Sequence, residues 1–310
     1  MADALPSYDR LPIDPSKPPG SAWGVWGDTD VFGCLNLLTP ERVVAAAACV
    51  RKGAVFPLNL EVELPDPPLF GRQGPEHVVL DLGRGFHDDT LSGWNTQSSS
   101  QWDGFRHVAH PDHGHWNGVA DADHGLHHWA RRGIAGRAVL ADVARWRASV
   151  GRAIEPGTSD AIEPDDVVAT LDAQHVAIEP GDVLLLRTGW ITWYRGLDAD
   201  ERAAIAQGRP TACGLRPGRA TVRMLWDLHV AAVAADNPAV EVWPPSSLDA
   251  EGFAHVSLLP LLGIPLGELW DLDRLADDCA ADGVYRCFLT AAPLNVHGGV
   301  GSPANALAIK

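Results

Sequence analysis

Residues 94–107 read WNTQSSSQWDGFRH, and this polar stretch is the most informative part of the sequence. Within it Gln97, Gln101, Asp103 and His107 follow one another at spacings of four, two and four residues. In an extended segment Gln101 and Asp103 project to one side, because side chains alternate between the faces of a strand. Asp103 would then supply a negative charge and His107 a base or a further ligand. The alternative is a polar surface loop, and the spacing leaves both interpretations open, because glutamine is a rare metal ligand.

The composition of the whole chain is that of an ordinary globular protein. Its 310 residues are 46% hydrophobic and 21% charged, enough for a large core without disulfides. With 24 basic against 40 acidic residues the net charge is −16, which argues against nucleic acid or an anionic membrane as partner. The five cysteines are scattered and form no C-x-x-C pair, as is typical of a reducing compartment. We therefore expect a cytoplasmic protein, since residues 1–22 also lack the apolar segment of a secretory signal.

Helices and strands alternate along the sequence. Periodicity and capping residues predict helices at 40–52, 165–173, 217–227 and 268–281, and strands at 56–64, 77–82, 137–143, 182–187, 230–235, 285–291 and 305–309. This mixture predicts one α/β or α+β domain. Residues 1–22 contain five prolines and are expected to form an extended arm.

Several large enzyme classes lack support in the sequence. The chain has no G-x-S-x-G, no Walker A loop, no G-x-G-x-x-G after a strand and no H-E-x-x-H. Nucleophilic-serine and nucleotide-binding chemistry are therefore disfavoured. Seven of the 13 histidines lie between His107 and His128, and we expect most of those after His107 to be surface or pocket-wall groups.

The chain resembles the metal-dependent hydrolases of the cyclase family, which include bacterial kynurenine formamidases and isatin hydrolase. That family carries H-x-G-T-H-x-D-x-P-x-H. Placing its aspartate on Asp103 puts Gln97 and Gln101 at its two histidine ligands and His107 at its final, catalytic histidine. The Q-x-x-x-Q-x-D-x-x-x-H version is similar to the branch that includes trans-dienelactone hydrolase. Further matching blocks are residues 23–37, 137–143, 180–190, 230–236, 263–272 and 292–309.

The resemblance implies one divalent ion, Zn²⁺ or Mn²⁺. Its ligands would be Gln97, Gln101, Asp103, His255 and Glu268, and the catalytic residues would be His107 and Glu268. The two carboxylates would balance the charge of the ion, and the two amides would shift its preference toward the harder metal. Taken alone, Glu268 would be interpreted as a solvated glutamate at a helix start and His255 as a core histidine.

The resemblance also implies a fold and an activity. The fold would be a swivelling β/β/α barrel-like α/β domain over residues 23–310, with residues 1–22 as the arm, in a homodimer or larger homo-oligomer. The activity would be hydrolysis of a cyclic or aryl amide, lactone or ester in a small-molecule substrate, by a metal-activated water with His107 as general base. Two alternatives stay open: a non-catalytic metal- or ligand-binding protein, and a lyase or dehydratase acting on a hydroxy acid or polyketide-like ring.

Overall fold

The structure is a computed structural model that describes residues 5–310. The strands in this part of the chain are β1 (Val55–Pro57), β2 (Glu76–Gly83), β3 (Phe86–Ser92), β4 (Gln101–Asp103), β5 (Ile134–Asp142), β6 (Ala161–Ile162), β7 (Val183–Arg187), β8 (Gly214–Leu215), β9 (Ala232–Ala235), β10 (Leu266–Glu268), β11 (Arg286–Ala291), β12 (Gly301–Pro303) and β13 (Ala306–Ile309). The α-helices are α1 (Pro40–Ala47), α2 (His127–Arg132), α3 (Val143–Ser149), α4 (Pro164–Ala173), α5 (Trp190–Gly196), α6 (Ala199–Gln207), α7 (Arg219–Asp227), α8 (His255–Leu258) and α9 (Asp273–Asp282). Among the described residues, no helix has both the length and the apolar character needed to span a membrane.

Nine strands form one mixed sheet in the order β1-β13-β11-β5-β7-β9-β10-β4-β12. Strands β5, β7, β9 and β10 run parallel at its centre, and antiparallel strands extend it on both sides. The central strands are short apolar runs, as expected of parallel strands that are covered on both faces. The sheet curls into a half barrel, which confirms the predicted single α/β barrel-like domain.

Helix α1 begins where its capping residues predict. The Thr39 side chain accepts a hydrogen bond from the backbone N–H of Arg42 at 3.4 Å, and Pro40 occupies the first turn. The helix ends at Ala47, before the predicted residue 52. The next residues, 48–50, continue as turns with bonds between residues three apart instead of a regular helix.

Two predicted elements, the helix at 268–281 and the strand at 56–64, have wrong bounds. The helix predicted at 268–281 begins only at Asp273, and Leu266–Glu268 forms strand β10. Glu268 therefore lies inside the sheet rather than at a helix start. The strand predicted at 56–64 is reduced to β1, which ends at Pro57, a residue without an N–H to donate to a neighbouring strand.

Strands β2 and β3 form a separate two-stranded hairpin in which every residue is exposed. Its exposed side chains include the large apolar residues Val79, Leu82 and Phe86. The hairpin leaves the body next to Arg72 and returns just before the stretch that carries Gln97. Its base therefore borders that stretch. The homo-oligomer stays a prediction.

The described part of the arm packs on its own chain. The backbone N–H of Tyr8 donates to Asp227 Oδ1 at 2.7 Å, and Trp226 Nε1 donates to the carbonyl of Pro6 at 2.8 Å. Both partners belong to the end of α7. At the other end of the arm, the N–H of Ala22 donates to the carbonyl of Leu261 at 2.8 Å. Residues 1–4 of the predicted arm lie outside the described residues.

Candidate metal centre

Strand β4 carries two of the predicted ligands into the sheet. It lies between β10 and β12, and its register places Gln101 opposite Glu268 and Asp103 opposite Gly301. Side chains of directly opposed residues are neighbours on one face of a sheet. Strand pairing therefore brings Gln101 next to Glu268 although 167 positions separate them in the chain.

Asp103, His255 and Glu268 form a compact group of ligand atoms. One atom from each lies within 4.8 Å of the others, and the three residues are 0%, 2% and 3% exposed. His255 Nε2 is 3.2 Å from Glu268 Oε1 and 3.7 Å from Asp103 Oδ2. Asp103 Oδ2 is fully buried without a hydrogen-bond partner among the described residues, which is costly for a carboxylate oxygen. Two carboxylates and one imidazole whose ligand atoms converge in this way are suitable ligands for a divalent cation.

The three members of this group shift one another's pKa values. Burial raises the pKa of Glu268, and the negative charge of Asp103 raises it further. Burial opposes ionisation of Asp103 as well, but His107 and His255 outweigh it and lower the pKa of Asp103. Burial also disfavours the His255 imidazolium, yet the carboxylate of Glu241 and those of Asp103 and Glu268 raise the pKa of His255 well above its usual value. A divalent cation would take the place of the protons on these groups, so metal binding should release protons.

Gln97 and Gln101 lie beside the same carboxylates. Gln97 Nε2 donates to Asp103 Oδ1 at 2.6 Å and lies 3.0 Å from His107 Nδ1. Gln101 Nε2 donates to Glu268 Oε2 at 2.5 Å. All five predicted ligands are therefore brought together. To bind a metal ion through their oxygens, the side-chain amides of Gln97 and Gln101 would have to rotate by half a turn, because their nitrogens now face the carboxylates. Their role as metal ligands stays a prediction.

His107 lies at the rim of the group. Its side chain is 26% exposed, and its Nε2 is 3.9 Å from Asp103 Oδ2. The charge of Asp103 favours protonated His107, but burial together with His255 and Arg72 outweighs it, so the pKa of His107 falls below its usual value. An imidazole that is unprotonated near neutral pH and within reach of water is suited to act as a general base.

Sequence reasoning missed Glu241, which orients His255. Glu241 is fully buried, and its Oε1 is 2.9 Å from His255 Nδ1 and accepts from the His255 backbone N–H at 3.3 Å. The other ring nitrogen, Nε2, is thereby directed toward Asp103 and Glu268. Such an outer carboxylate fixes the ring orientation of a ligating histidine. The indication available in the sequence was that polar residues follow the buried strand β9, at the sheet edge where α/β proteins gather binding groups.

We expect Glu241→Ala to weaken metal binding by about 10- to 100-fold, because the imidazole of His255 loses its orienting acceptor. Glu241→Gln keeps an oxygen at this position and should lose clearly less. Competition with a chromogenic chelator measures both affinities. Glu76→Ala, at an exposed glutamate of the hairpin, is the matched control. If Glu241→Ala bound metal as tightly as this control, the orienting role of Glu241 would be wrong.

Arg72 and Gly301 were also missed. Arg72 Nη1 donates to the backbone carbonyl of Gln97 at 2.5 Å and to Gln101 Oε1 at 3.4 Å, which ties the base of the hairpin to the site. Gly301 leaves room for Gln97, since a Cβ there would stand 2.2 Å from Gln97 Cγ. Gly301 thus serves the site by its lack of a side chain.

Three of the later histidines of the polar region contact backbone carbonyls instead. His115 Nδ1 is 2.9 Å from the carbonyl of Phe105, and His124 Nε2 is 3.0 Å from that of Trp116. His128 Nε2 is likewise 3.0 Å from a backbone carbonyl. Within residues 5–310, none of them belongs to the group of metal-ligating atoms.

Asp236, at the end of β9, has a structural role. Its carboxylate accepts from the backbone N–H of Thr188 at 2.6 Å and of Gly189 at 2.8 Å, and from Thr188 Oγ1 at 2.7 Å. Burial, against the opposing charge of Arg187, raises the pKa of Asp236 to about 6.

The raised pKa of Asp236 predicts a pH-dependent stability. Between about pH 4 and 6 the unfolded chain ionises this carboxyl while the folded protein keeps its proton, so stability falls as pH rises. A shift of about two pKa units corresponds to about 3 kcal/mol. The free energy of unfolding of the wild type, measured relative to that of Asp236→Asn, which cannot titrate at this position, should fall by up to about 3 kcal/mol between pH 4 and 7. Urea unfolding of both proteins at four pH values measures this difference in stability. A wild type that becomes more stable relative to Asp236→Asn as pH rises would contradict the prediction.

The family of this chain is shown by its similarity to known proteins. The Cyclase family model, described as "Putative cyclase", matches residues 55–242, more than half of the chain. The chain belongs to the cyclase family. A crystal structure of a novel cyclase is 33% identical, with a TM-score of 0.82 over 94% of this chain and 99% of that one. The predicted family is therefore confirmed, and the glutamine-containing branch stays a prediction.

Isatin hydrolases share the fold of this chain at lower identity. Isatin hydrolase A from Labrenzia aggregata, solved with benzyl benzoate, is 18% identical with a TM-score of 0.61, over 86% of this chain and 97% of that one. Isatin hydrolase A from Ralstonia solanacearum is 19% identical with a TM-score of 0.62, over 88% and 98% of the two chains. No curated protein sequence matches this chain significantly.

Metal should stabilise this protein against unfolding. An ion that binds only the folded state at 100 times its dissociation constant adds about 2.7 kcal/mol. We therefore expect thermal unfolding at a higher temperature with Mn²⁺ than after chelation. Glu268→Gln, which removes one ligand charge, should lose most of this difference. Equal unfolding temperatures of the wild type with and without Mn²⁺ would contradict the metal centre.

Proposed function

We propose that this protein is a metal-dependent hydrolase that cleaves a cyclic or aryl amide, lactone or ester. One observation carries the proposal: a buried group of Asp103, His255 and Glu268, in which one carboxylate oxygen accepts no hydrogen bond, lies directly beside the partly exposed His107. A cation site next to a solvent-accessible base is the minimal equipment for hydrolysis by an activated water.

The metal would be held by Asp103, His255 and Glu268, completed by the amide oxygens of Gln97 and Gln101. We propose one divalent ion, Zn²⁺ or Mn²⁺. When bound, the ion supplies Lewis acidity, which polarises a carbonyl and lowers the pKa of water. Glu241 keeps the His255 ring in place for this role.

His107 would move the proton. As general base it accepts a proton from the attacking water while the water oxygen bonds to the carbonyl carbon. As general acid it then returns that proton to the departing nitrogen or oxygen as the C–N or C–O bond breaks. Its contact with Gln97 at 3.0 Å and the proximity of Asp103 hold the ring at the rim of the site.

A row of aromatic rings beside His255 supports the proposal that the substrate is planar. Phe253 stacks on the His255 ring at 4.7 Å between centroids, Trp243 lies 6.3 Å from Phe253, and Phe70 lies 4.9 Å from Trp243. All three aromatic side chains are partly exposed. Phe70 has a φ of 61°, which is uncommon for a bulky residue and is typical of positions held for function. Partly exposed aromatic faces favour aryl or flat cyclic ligands.

Hydrolysis in ¹⁸O-labelled water tests the proposal. The metal-loaded protein would be assayed with isatin, formanilide, dihydrocoumarin and phenyl acetate, with the chelated protein as control. We expect turnover of at least one substrate, with one ¹⁸O atom in the carboxylate product. Turnover without ¹⁸O would favour the lyase or dehydratase alternative. Metal binding without turnover of any class would favour the non-catalytic alternative.

A further inference from the structure

A cavity of about 690 Å³ lies away from the metal centre. Its walls are the end of α1, the loop at 179–182 before β7, and residues of β5, β11 and the end of β13. In the sheet, β7 and β9 separate these strands from β10 and β4, which carry Glu268 and Asp103. The cavity shares no lining residue with that group.

The lining is basic although the chain is strongly acidic. Three acidic residues line the cavity, Glu179, Asp182 and Asp282, and six basic residues do: Arg42, Arg51, Lys52, Arg137, Arg286 and Lys310. All three acids already have partners. Arg137 contacts Asp182 at 2.7 Å and Glu179 at 3.0 Å, and Asp282 contacts both lysines.

Three arginines of the cavity have no carboxylate partner. Within residues 5–310, neither Arg51 nor Arg286 forms an ion pair, and Arg42 donates only to the backbone carbonyl of Leu37, at 2.7 Å. A chain with 40 acidic residues and a net charge of −16 thus keeps three uncompensated guanidinium groups around one cavity. Water weakens the repulsion among these partly exposed cations, and an anion bound in the cavity would reduce it further.

The remaining walls are apolar and small. Ala45, Ala48, Pro180 and Val284 line the space between the charged groups. The cavity volume lies within the range of about 300–1,000 Å³ that is typical of small-molecule sites. Its occupant should therefore combine an apolar body with an anionic group.

We propose that this cavity is a second ligand site, which binds a small organic carboxylate with an aromatic or aliphatic body. The planar guanidinium groups of Arg42, Arg51 and Arg286 match a carboxylate in a way that single-point cations do not. The alanines of α1 and Val284 cover the apolar body. The site is independent of the hydrolytic activity proposed for the metal centre.

Cys49 provides a direct report on this cavity. It lines the cavity and is the only one of the five cysteines that is not buried. Burial raises the pKa of the Cys49 thiol, and the charges of Arg137 and Arg286 partly oppose this. The uncharged reagent iodoacetamide, used at pH 8.5, should therefore modify Cys49 selectively, with Cys49→Ser as the check on the labelled position.

The test compares 2-naphthoate with its uncharged isostere 2-naphthamide on the metal-loaded protein at constant ionic strength. We expect saturating 2-naphthoate to slow Cys49 labelling at least tenfold, while 2-naphthamide has little effect. Arg51→Ala and Arg286→Ala should each weaken 2-naphthoate binding about tenfold, the effect of losing one charge-assisted contact at a partly exposed site. Each variant is compared with its own ligand-free rate, and equilibrium dialysis measures binding independently.

Arg84→Ala, at the tip of the exposed hairpin, is the matched control and should leave binding unchanged. Equal protection by the acid and the amide would overturn the proposal, as would protection by inorganic phosphate at the same concentration. Absence of protection by 2-naphthoate would overturn it too. So would labelling that slows only as the protein concentration rises, since that result would mean that a second copy covers the cavity. None of these outcomes depends on turnover at the metal centre.

Discussion

Asp103→Ala is expected to abolish both metal binding and activity. Asp103 is fully buried at the centre of the group, and its free Oδ2 faces His255 Nε2 at 3.7 Å. Its loss leaves Glu268 as the only carboxylate among the proposed ligands. Removal of an outer partner alone costs about 10- to 100-fold in metal affinity, so loss of this ligand should cost more than about a hundredfold. Elemental analysis after dialysis and chelator competition measure occupancy and affinity.

Two further variants make this experiment decisive. Asp103→Asn keeps the shape and one oxygen but removes the charge, and it should lie between the wild type and Asp103→Ala. Asp88→Ala, at an exposed aspartate of the hairpin, should bind metal like the wild type. Circular dichroism of the metal-free proteins checks that each variant folds. One ion per chain at unchanged affinity in Asp103→Ala would show that the metal centre is placed wrongly.

His107→Asn is expected to keep the metal and lose about two to four orders of magnitude in kcat, the usual contribution of a general base. Asparagine keeps a hydrogen-bonding group near Gln97 but cannot accept a proton from water. The partial exposure of His107 and its 3.9 Å separation from Asp103 place it at the edge of the ligand group. Steady-state kinetics on the best substrate, with metal content measured on the same sample, provide the comparison.

The controls separate the three possible roles of His107. His113→Asn, at an exposed histidine of the following loop, should leave kcat and metal content unchanged. Parallel loss of metal and activity in His107→Asn would make His107 a ligand instead of a base. Full activity in this variant would remove His107 from the catalytic machinery.

Much of the site could be predicted because its residues are close together in the chain. Gln97, Gln101, Asp103 and His107 lie within eleven positions, and the alternation of a strand is enough to place Gln101 and Asp103 on one side. His255 and Glu268 were named only through the family resemblance. Taken alone, each looked like an ordinary core or surface residue.

Local sequence therefore determined the family, the mixed α/β class and most of the short elements, because capping residues and apolar runs act over a few positions. Only the tertiary structure decided that Leu266–Glu268 is a strand beside β4, since that depends on pairing across 167 positions. The same holds for Glu241 behind His255 and for Gly301 beneath Gln97. Neither role leaves a local pattern, because each is set by packing between segments that are distant in the chain. The basic cavity beside α1 likewise cannot be predicted from the net charge of −16. It forms where arginines without carboxylate partners, from separate parts of the chain, line one cavity.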